Sequence, residues 1–402
     1  MSSVVIKYEG EYLIGSPFLW DESIQKIQEY NGKIPDVTRC CGAWSYVDTI
    51  KGVFIRDAIG LIPIYIHNKE AARVPYAFNH SSIVYRVPPG SVVRVSDGVS
   101  ITYYRRVALE QAWKITNVGT IKDMDEAVRE LKNALLGASS RIKKNGMLLL
   151  SGGVDSAVTA VALREKIKRG ITLSSGQDIE FARFLSRHLG LDLEEVTVTP
   201  ENVECELHQF ISKVPVRNVL DLEIGIGFWM IARELKGNVI FSGQGADELF
   251  GGYAKFCQIE KSRDVNEICM QLILDLHESN IEREDAIFAT HNLDHNMLFF
   301  DPEVLAVSMK IDGKLKVSNG KRKIVLREVA RKIGVPDTIA FREKKALQYG
   351  AGIKKILEKI ASKNNTRLPF LLTKIREELN AQGLTPCPIP QNLPHSFSGL
   401  NP

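Results

Sequence analysis

Ser151-Gly152-Gly153-Val154-Asp155-Ser156 decides how this chain is read. The apolar run Met147-Leu148-Leu149-Leu150 leads into it, and Ala157 to Leu163 continues from it. A strand is therefore expected to enter a glycine turn and leave it as a helix. Adjacent glycines let backbone approach an anion closely, and the first N–H groups of a helix point outward without partners. Ser151 and Ser156 add hydroxyl donors, and Asp155 brings a carboxylate able to hold magnesium against phosphates. No lysine closes the loop, so the nucleoside-triphosphatase pattern of glycine, four residues, glycine and lysine is excluded.

A second loop follows the strand-like run Asn238-Val239-Ile240. It reads Phe241-Ser242-Gly243-Gln244-Gly245-Ala246-Asp247-Glu248-Leu249-Phe250-Gly251-Gly252-Tyr253. Glycines and an acidic pair at this density make a tight bend around something charged. A third stretch runs from Lys323-Ile324-Val325-Leu326-Arg327-Glu328 to Arg342-Glu343-Lys344-Lys345 and on to Gly350-Ala351-Gly352. A cation belongs where negative charge builds during phosphoryl chemistry, and the lysine pair offers one.

The first loop resembles that of the PP-loop ATP pyrophosphatases, which cleave ATP to AMP and pyrophosphate. In order and spacing the three stretches resemble the asparagine synthetase family. The resemblance implies an ATP site lined by Leu150, Ser151, Gly152, Gly153, Asp155, Ser156, Leu173, Ser242, Gly243 and Gln244. It makes Asp155 and Asp247 the two Mg2+ carboxylates. Lys344 falls on the family lysine that meets the reacting phosphate, within an Arg-x-Lys segment that begins at Arg342. Lys344, Arg342 and Gln244 are the catalytic candidates.

At 402 residues the chain is longer than one typical core, so two domains are expected. The balance of 52 basic against 48 acidic side chains leaves +4, too little to argue for nucleic acid without a clustered patch. None of the six cysteines forms a Cys-x-x-Cys pair or has zinc-spaced histidines nearby, which suits inert thiols in a reducing cytoplasm. The first residues do not read as a signal peptide, and no apolar run nears the ~18 residues of a membrane span. A cytoplasmic protein with neither membrane nor nucleic-acid partner is expected.

From Asp123 onward helical and strand-like stretches alternate. A helix is expected from 123 to 144, others at 201–213 and 221–235, strands at 171–173, 193–198 and 237–241, and a mostly helical stretch over 262–363. Such alternation predicts an α/β fold, a parallel sheet with helices on both faces and ligand at the carboxyl ends of its strands. Residues 122–370 are assigned to this ATP-binding domain and 371–402 to a proline-containing tail, extended or disordered. Residues 1–107 read as strands and turns. Their Arg56-Asp57, Gly60, Pro63 and Tyr65 resemble the end of the family's glutaminase domain, a β-rich Ntn-type fold.

Departures from the family set the functional expectation. Ser2 stands where the glutaminase nucleophile would be cysteine, and only some fifty residues precede Arg56-Asp57, about half the family's usual number, so glutamine hydrolysis is not expected. Cys40 and Cys41 are read as core residues. Gln244 replaces the family's glutamate, or the tyrosine of β-lactam synthetases, and an amide cannot take a proton from an amine. The Glu-Val-Arg element before Asp301 reads as deleted, and His291 and His295 read as surface or packed residues rather than a metal pair. The expected activity is an AMP-forming amide ligase. It adenylates a carboxylic acid, aspartate by resemblance, and passes the acyl group to ammonia or another amine. A related synthetase on a different acid and a non-catalytic nucleotide-binding protein stand as alternatives, as does a transfer-RNA-modifying PP-loop enzyme, which would want a basic groove or cysteines near the loops that the sequence does not show; a separate glutaminase and a homodimer stay open. Lys344→Ala is expected to lower kcat by about 10²–10³ with modest change in ATP binding, the scale for one charge stabiliser. Unaltered turnover in steady-state assays would remove Lys344 from the mechanism.

Overall fold

The computed structural model describes residues 7–15, 18–19, 25–26, 37–78, 83–96, 98–174, 178–235, 239–259, 262–342 and 352–393. Its centre is a five-stranded sheet in which every neighbouring pair is parallel. Across the sheet the strands run Leu193–Val196, Ile167–Leu173, Gly146–Leu149, Val239–Ser242 and Asp294–Met297. Chain order reverses between Gly146–Leu149 and Val239–Ser242. Ligands of open α/β sheets bind beyond the carboxyl ends of strands at such a switch point, and the two glycine loops leave these two strands.

Alternate side chains along the central strands enter opposite cores. Leu148 and Phe241 join one cluster with Leu131, Ala157 and Val325, from the helices Met124–Arg141, Val154–Ala162 and Ile324–Lys332. Met147 and Ile240 join the other with Phe210, Trp229 and Leu357, from Pro200–Lys213, Val219–Glu234 and Ile353–Lys363. Helices thus cover both faces, as expected. Asp123 caps the first helix by accepting the Glu126 N–H at 2.8 Å. Thr199 and Asn202 form a reciprocal capping box on Pro200–Lys213.

The N-terminal region holds a sandwich of two five-stranded sheets and a small third sheet of Gln25–Lys26, Phe18–Leu19 and Cys40–Cys41. One sheet of the sandwich runs Val99–Tyr103, Ser91–Val95, Val53–Arg56, Trp44–Asp48 and Glu11–Gly15, antiparallel throughout. Val47, Phe54 and Val93 of this sheet meet Tyr8, Ile66 and Ala71 of the other in one cluster. Cys40 and Cys41 are buried beside Trp44, as packing residues.

Three features differ from the sequence reading. The first helix ends at Arg141 rather than 144. Asp294–Met297, placed in a mostly helical stretch, is the fifth strand; its polar Asp-His-Asn sequence has low strand propensity, and pairing to Val239–Ser242 overrides it. The segment read as a tail starts inside the helix Leu368–Ala381. Beyond it, Gln391–Asn392 pairs in parallel with Tyr85–Arg86, and Leu393 is buried in the sandwich core. A proline-rich segment without a periodic pattern reads as loose until an edge strand receives it.

Three arginines of the sandwich reach carboxylates on one helical stretch, His277–Ile281 with Glu282–Thr290. Arg56 bonds Glu282 at 3.2 Å, and Arg86 bonds Glu278 at 2.9 Å and Glu282 at 3.2 Å. Arg73 grips Asp285 with two nitrogens, the shorter contact 2.7 Å. Arg73 and Asp285 are both buried, so removing one strands the other's charge away from water. Arg73→Ala is expected to lower unfolding free energy by about 3–5 kcal/mol in urea denaturation. Arg106→Ala, in an exposed pair with Glu110, should change it by less than about 1 kcal/mol. Equal effects would show that the buried pair contributes no more than a surface one.

Candidate functional site

The first loop is cinched on itself. The Ser151 N–H donates to Ser156 Oγ at 3.2 Å, the two hydroxyls meet at 3.0 Å, and Ser156 Oγ donates to the Gly153 carbonyl at 3.0 Å. Gly152 has φ +66°, and a Cβ there would lie 2.6 Å from the Ala182 backbone nitrogen. Only glycine fits both the left-handed turn and this contact. The turn delivers the amino end of Val154–Ala162 to the carboxyl edge of the sheet.

The second loop closes against the first. A Cβ on Gly243 would lie 2.8 Å from that of Asp155, so its bare Cα lets the loops touch. Gly245 and Gly251, both left-handed, bracket the short helix Ala246–Phe250 that carries Asp247. Asp155 and Asp247 converge on one point, and that point holds the ammonium of Lys323. Lys323 Nζ lies 2.7 and 2.8 Å from the two oxygens of Asp155 and 2.7 Å from Asp247 Oδ1. Burial opposes the lysine charge, but the two carboxylates outweigh it and hold its pKa above the ordinary value.

These groups line a cavity of about 1260 Å³. Leu150, Ser151, Asp155, Ser156, Leu173, Ser242, Gly243, Gln244, Asp247 and Arg342 are in its wall, as is Lys323. Gly152 turns instead against the helix Ile179–Leu189, and Gly153 caps Val154–Ala162 behind the wall. Arg342 donates to the Gly152 carbonyl at 3.1 Å, pairs with Asp178, and lies over the Phe181 ring. It therefore latches the first loop as well as facing the cavity. Arg327 donates to the Ala340 and Arg342 carbonyls and fixes that segment. Lys344 lies outside the described residues.

Two carboxylates offer the hard oxygen ligands that Mg2+ takes, and their convergence on a single cation is the arrangement such an ion needs. Among the described residues no cluster of three or more potential metal ligands occurs, so phosphate or water oxygens would complete its shell. His291 Nδ1 donates to the Ile287 carbonyl at 2.9 Å and its ring packs on Trp229, while His295 packs on Phe288. Both are packed residues, one of the two roles expected.

The far end of the cavity was not legible in the sequence. Asp221 is held by Arg217 and by Arg283, each through contacts of 2.8 Å. Despite burial, these arginines keep its pKa below the usual value. Glu284, also in the wall, is pushed up to about 7 by burial, with Arg283 pulling the other way. Glu248 is likewise raised to about 7 by burial and by Asp247, and it accepts the Tyr253 hydroxyl at 2.5 Å.

The family model for asparagine synthase matches residues 145–264 and 257–382, more than half of the chain. The chain belongs to the asparagine synthase family. It is 30% identical over 276 residues to a Methanocaldococcus jannaschii protein classed provisionally as asparagine synthetase 1 (glutamine-hydrolyzing), covering 58% of this chain and 51% of that one. Asparagine synthetase B (glutamine-hydrolyzing) of Escherichia coli is 24% identical over 347 residues, covering 77% and 61%. This member of the family thus spans about half to three fifths of the length of those relatives. Among solved structures, NMN synthetase from Francisella tularensis aligns with 65% of this chain and 95% of its own at 13% identity and a TM-score of 0.31, too low to bear on the fold.

Gly252 gives the family site a sharp steric test. A Cβ there would overlap both Asp247 Oδ1 and Lys323 Cε, while its backbone is not in the left-handed region. Gly252→Ala is expected to weaken ATP binding in magnesium buffer at least about tenfold, since charge-assisted contacts of ~1.5–3 kcal/mol are displaced. Calorimetry showing wild-type affinity would mean that these groups do not hold the nucleotide.

Proposed function

We propose that the chain is an ATP-dependent carbon–nitrogen ligase that forms an amide through an acyl-adenylate. The carrying observation is the meeting of Asp155, Asp247 and Lys323 at the switch point, with both glycine loops around it. An acid carboxylate attacks the α-phosphorus of ATP, and pyrophosphate leaves. A nitrogen nucleophile then attacks the acyl carbon, and AMP departs.

Each residue has a task in this reading. Loop N–H groups and the hydroxyls of Ser151, Ser156 and Ser242 bind the phosphates. Asp155 and Asp247 would hold Mg2+, which when bound neutralises charge on the leaving group. Lys323 lies where it can exchange carboxylate contacts for phosphate oxygens, and Lys344 is assigned to the developing charge at the α-phosphate. Orientation of two reactants in one cavity can supply about 7–11 kcal/mol. Leu150 and Leu173 form the apolar wall for the adenine.

Aspartate is the acid that family membership favours, with ammonia or another amine as acceptor. Gln244 supports a second reading, a related amide synthetase on a different acid, because an amide cannot serve as the proton acceptor. Arg217, Asp221, Arg283 and Glu284, beyond the nucleotide end, would then set the acid. ATP–pyrophosphate exchange over a panel of carboxylic acids, with and without ammonia, tests both readings. Exchange that depends on aspartate, with AMP and asparagine formed when ammonia is added, is expected from the first. Exchange with another acid selects the second, and none with any acid, alongside tight ATP binding, would leave only a nucleotide-binding protein.

A further inference from the structure

His295 reads in the sequence as one of two surface or packed histidines, yet its ring touches the second phosphate loop. Its Nε2 lies 2.7 Å from Ser242 Oγ, across the pairing of Val239–Ser242 with Asp294–Met297. The ring stands edge-on to Phe288 with centroids 4.7 Å apart, which limits its rotation. Ser242 Oγ also accepts the Gln244 N–H at 3.3 Å. A serine hydroxyl has a single hydrogen. If Nε2 accepted that hydrogen, Ser242 would turn only lone pairs toward the cavity and would repel a phosphate oxygen. If Nε2 carries the ring hydrogen, it donates to Oγ, and the hydroxyl hydrogen is left for an anion.

We propose that His295 is a positioning residue that holds Ser242 as a hydrogen-bond donor to the pyrophosphate end of the nucleotide. This rests on the nucleotide-site reading of the two loops. Burial, reinforced by Arg73, pushes the His295 pKa down to about 3. The ring is therefore neutral near pH 7, with one hydrogen to place on either nitrogen. An incoming phosphate selects the Nε2–H tautomer, because only that tautomer frees the serine hydrogen.

The test is a double-mutant cycle read by calorimetry with ATP, pyrophosphate and AMP, each in magnesium buffer. His295→Leu should weaken ATP and pyrophosphate about fivefold to tenfold, the scale of one hydrogen bond. AMP affinity, which does not use the pyrophosphate end, should be unmoved. His295→Gln retains an N–H donor and should recover most of the loss. In a Ser242→Ala background His295→Leu should have no further effect. Equal losses for AMP and pyrophosphate, or independent multiplication of the two single effects, would overturn the positioning role. A wild type that binds none of the three ligands would overturn the nucleotide site, and this inference with it.

Discussion

One ammonium between two carboxylates organises the candidate site. Asp155 and Asp247 belong to loops far apart in the chain, and Lys323 joins them from a third element while almost wholly buried. Bringing like charges together in a dry place is costly unless a cation lies between them. The sheet sets the distance, because the two strands feeding these loops are adjacent. Gly243 and Gly252 then remove the side chains that would hold the carboxylates apart. In the proposed reading the same charges are redistributed onto phosphates and a metal without moving the sheet.

A second constraint links this site to the N-terminal sandwich. Glu278, Glu282 and Asp285 follow one another at helical spacing and take three arginines from the sandwich. Asn280, Arg283 and Glu284 of the same stretch face the cavity. A π-turn at His277–Ile281 adjusts the phase between the preceding helix and this one. One helix is thus gripped on one side by the sandwich, and on the other it lines the cavity.

Much of this was legible before the fold was seen. Both glycine loops announce themselves by composition and by the apolar runs before them, and strand alternation places them at one sheet edge. Lys323 stands in the third motif, but the sequence assigns it no role, because its contact with Asp155 spans 168 positions and depends on a left-handed backbone at the lysine. Arg217, Asp221, Arg283 and Glu284 form no local pattern; only packing of Val219–Glu234 against Glu282–Thr290 brings them together. His295 reads in the sequence as a surface or packed residue, but its reach to Ser242 follows from strand register, which Asp294–Met297 does not betray in its residue types. Long-range pairing and the choice of edge strands are what periodicity cannot supply.

The strand Gln391–Asn392 completes a sheet whose other members lie between residues 7 and 86. Its anchoring contact, Arg86 to Asn392 at 3.0 Å, joins positions 306 apart. During translation the edge at Tyr85–Arg86 therefore stays open until a strand 306 positions further along has been made. A nascent chain in that state exposes unpaired backbone where other chains could add. Gln391–Asn392 then acts as a clasp, so that a chain not yet extended to it differs from one that carries it at a sheet made much earlier.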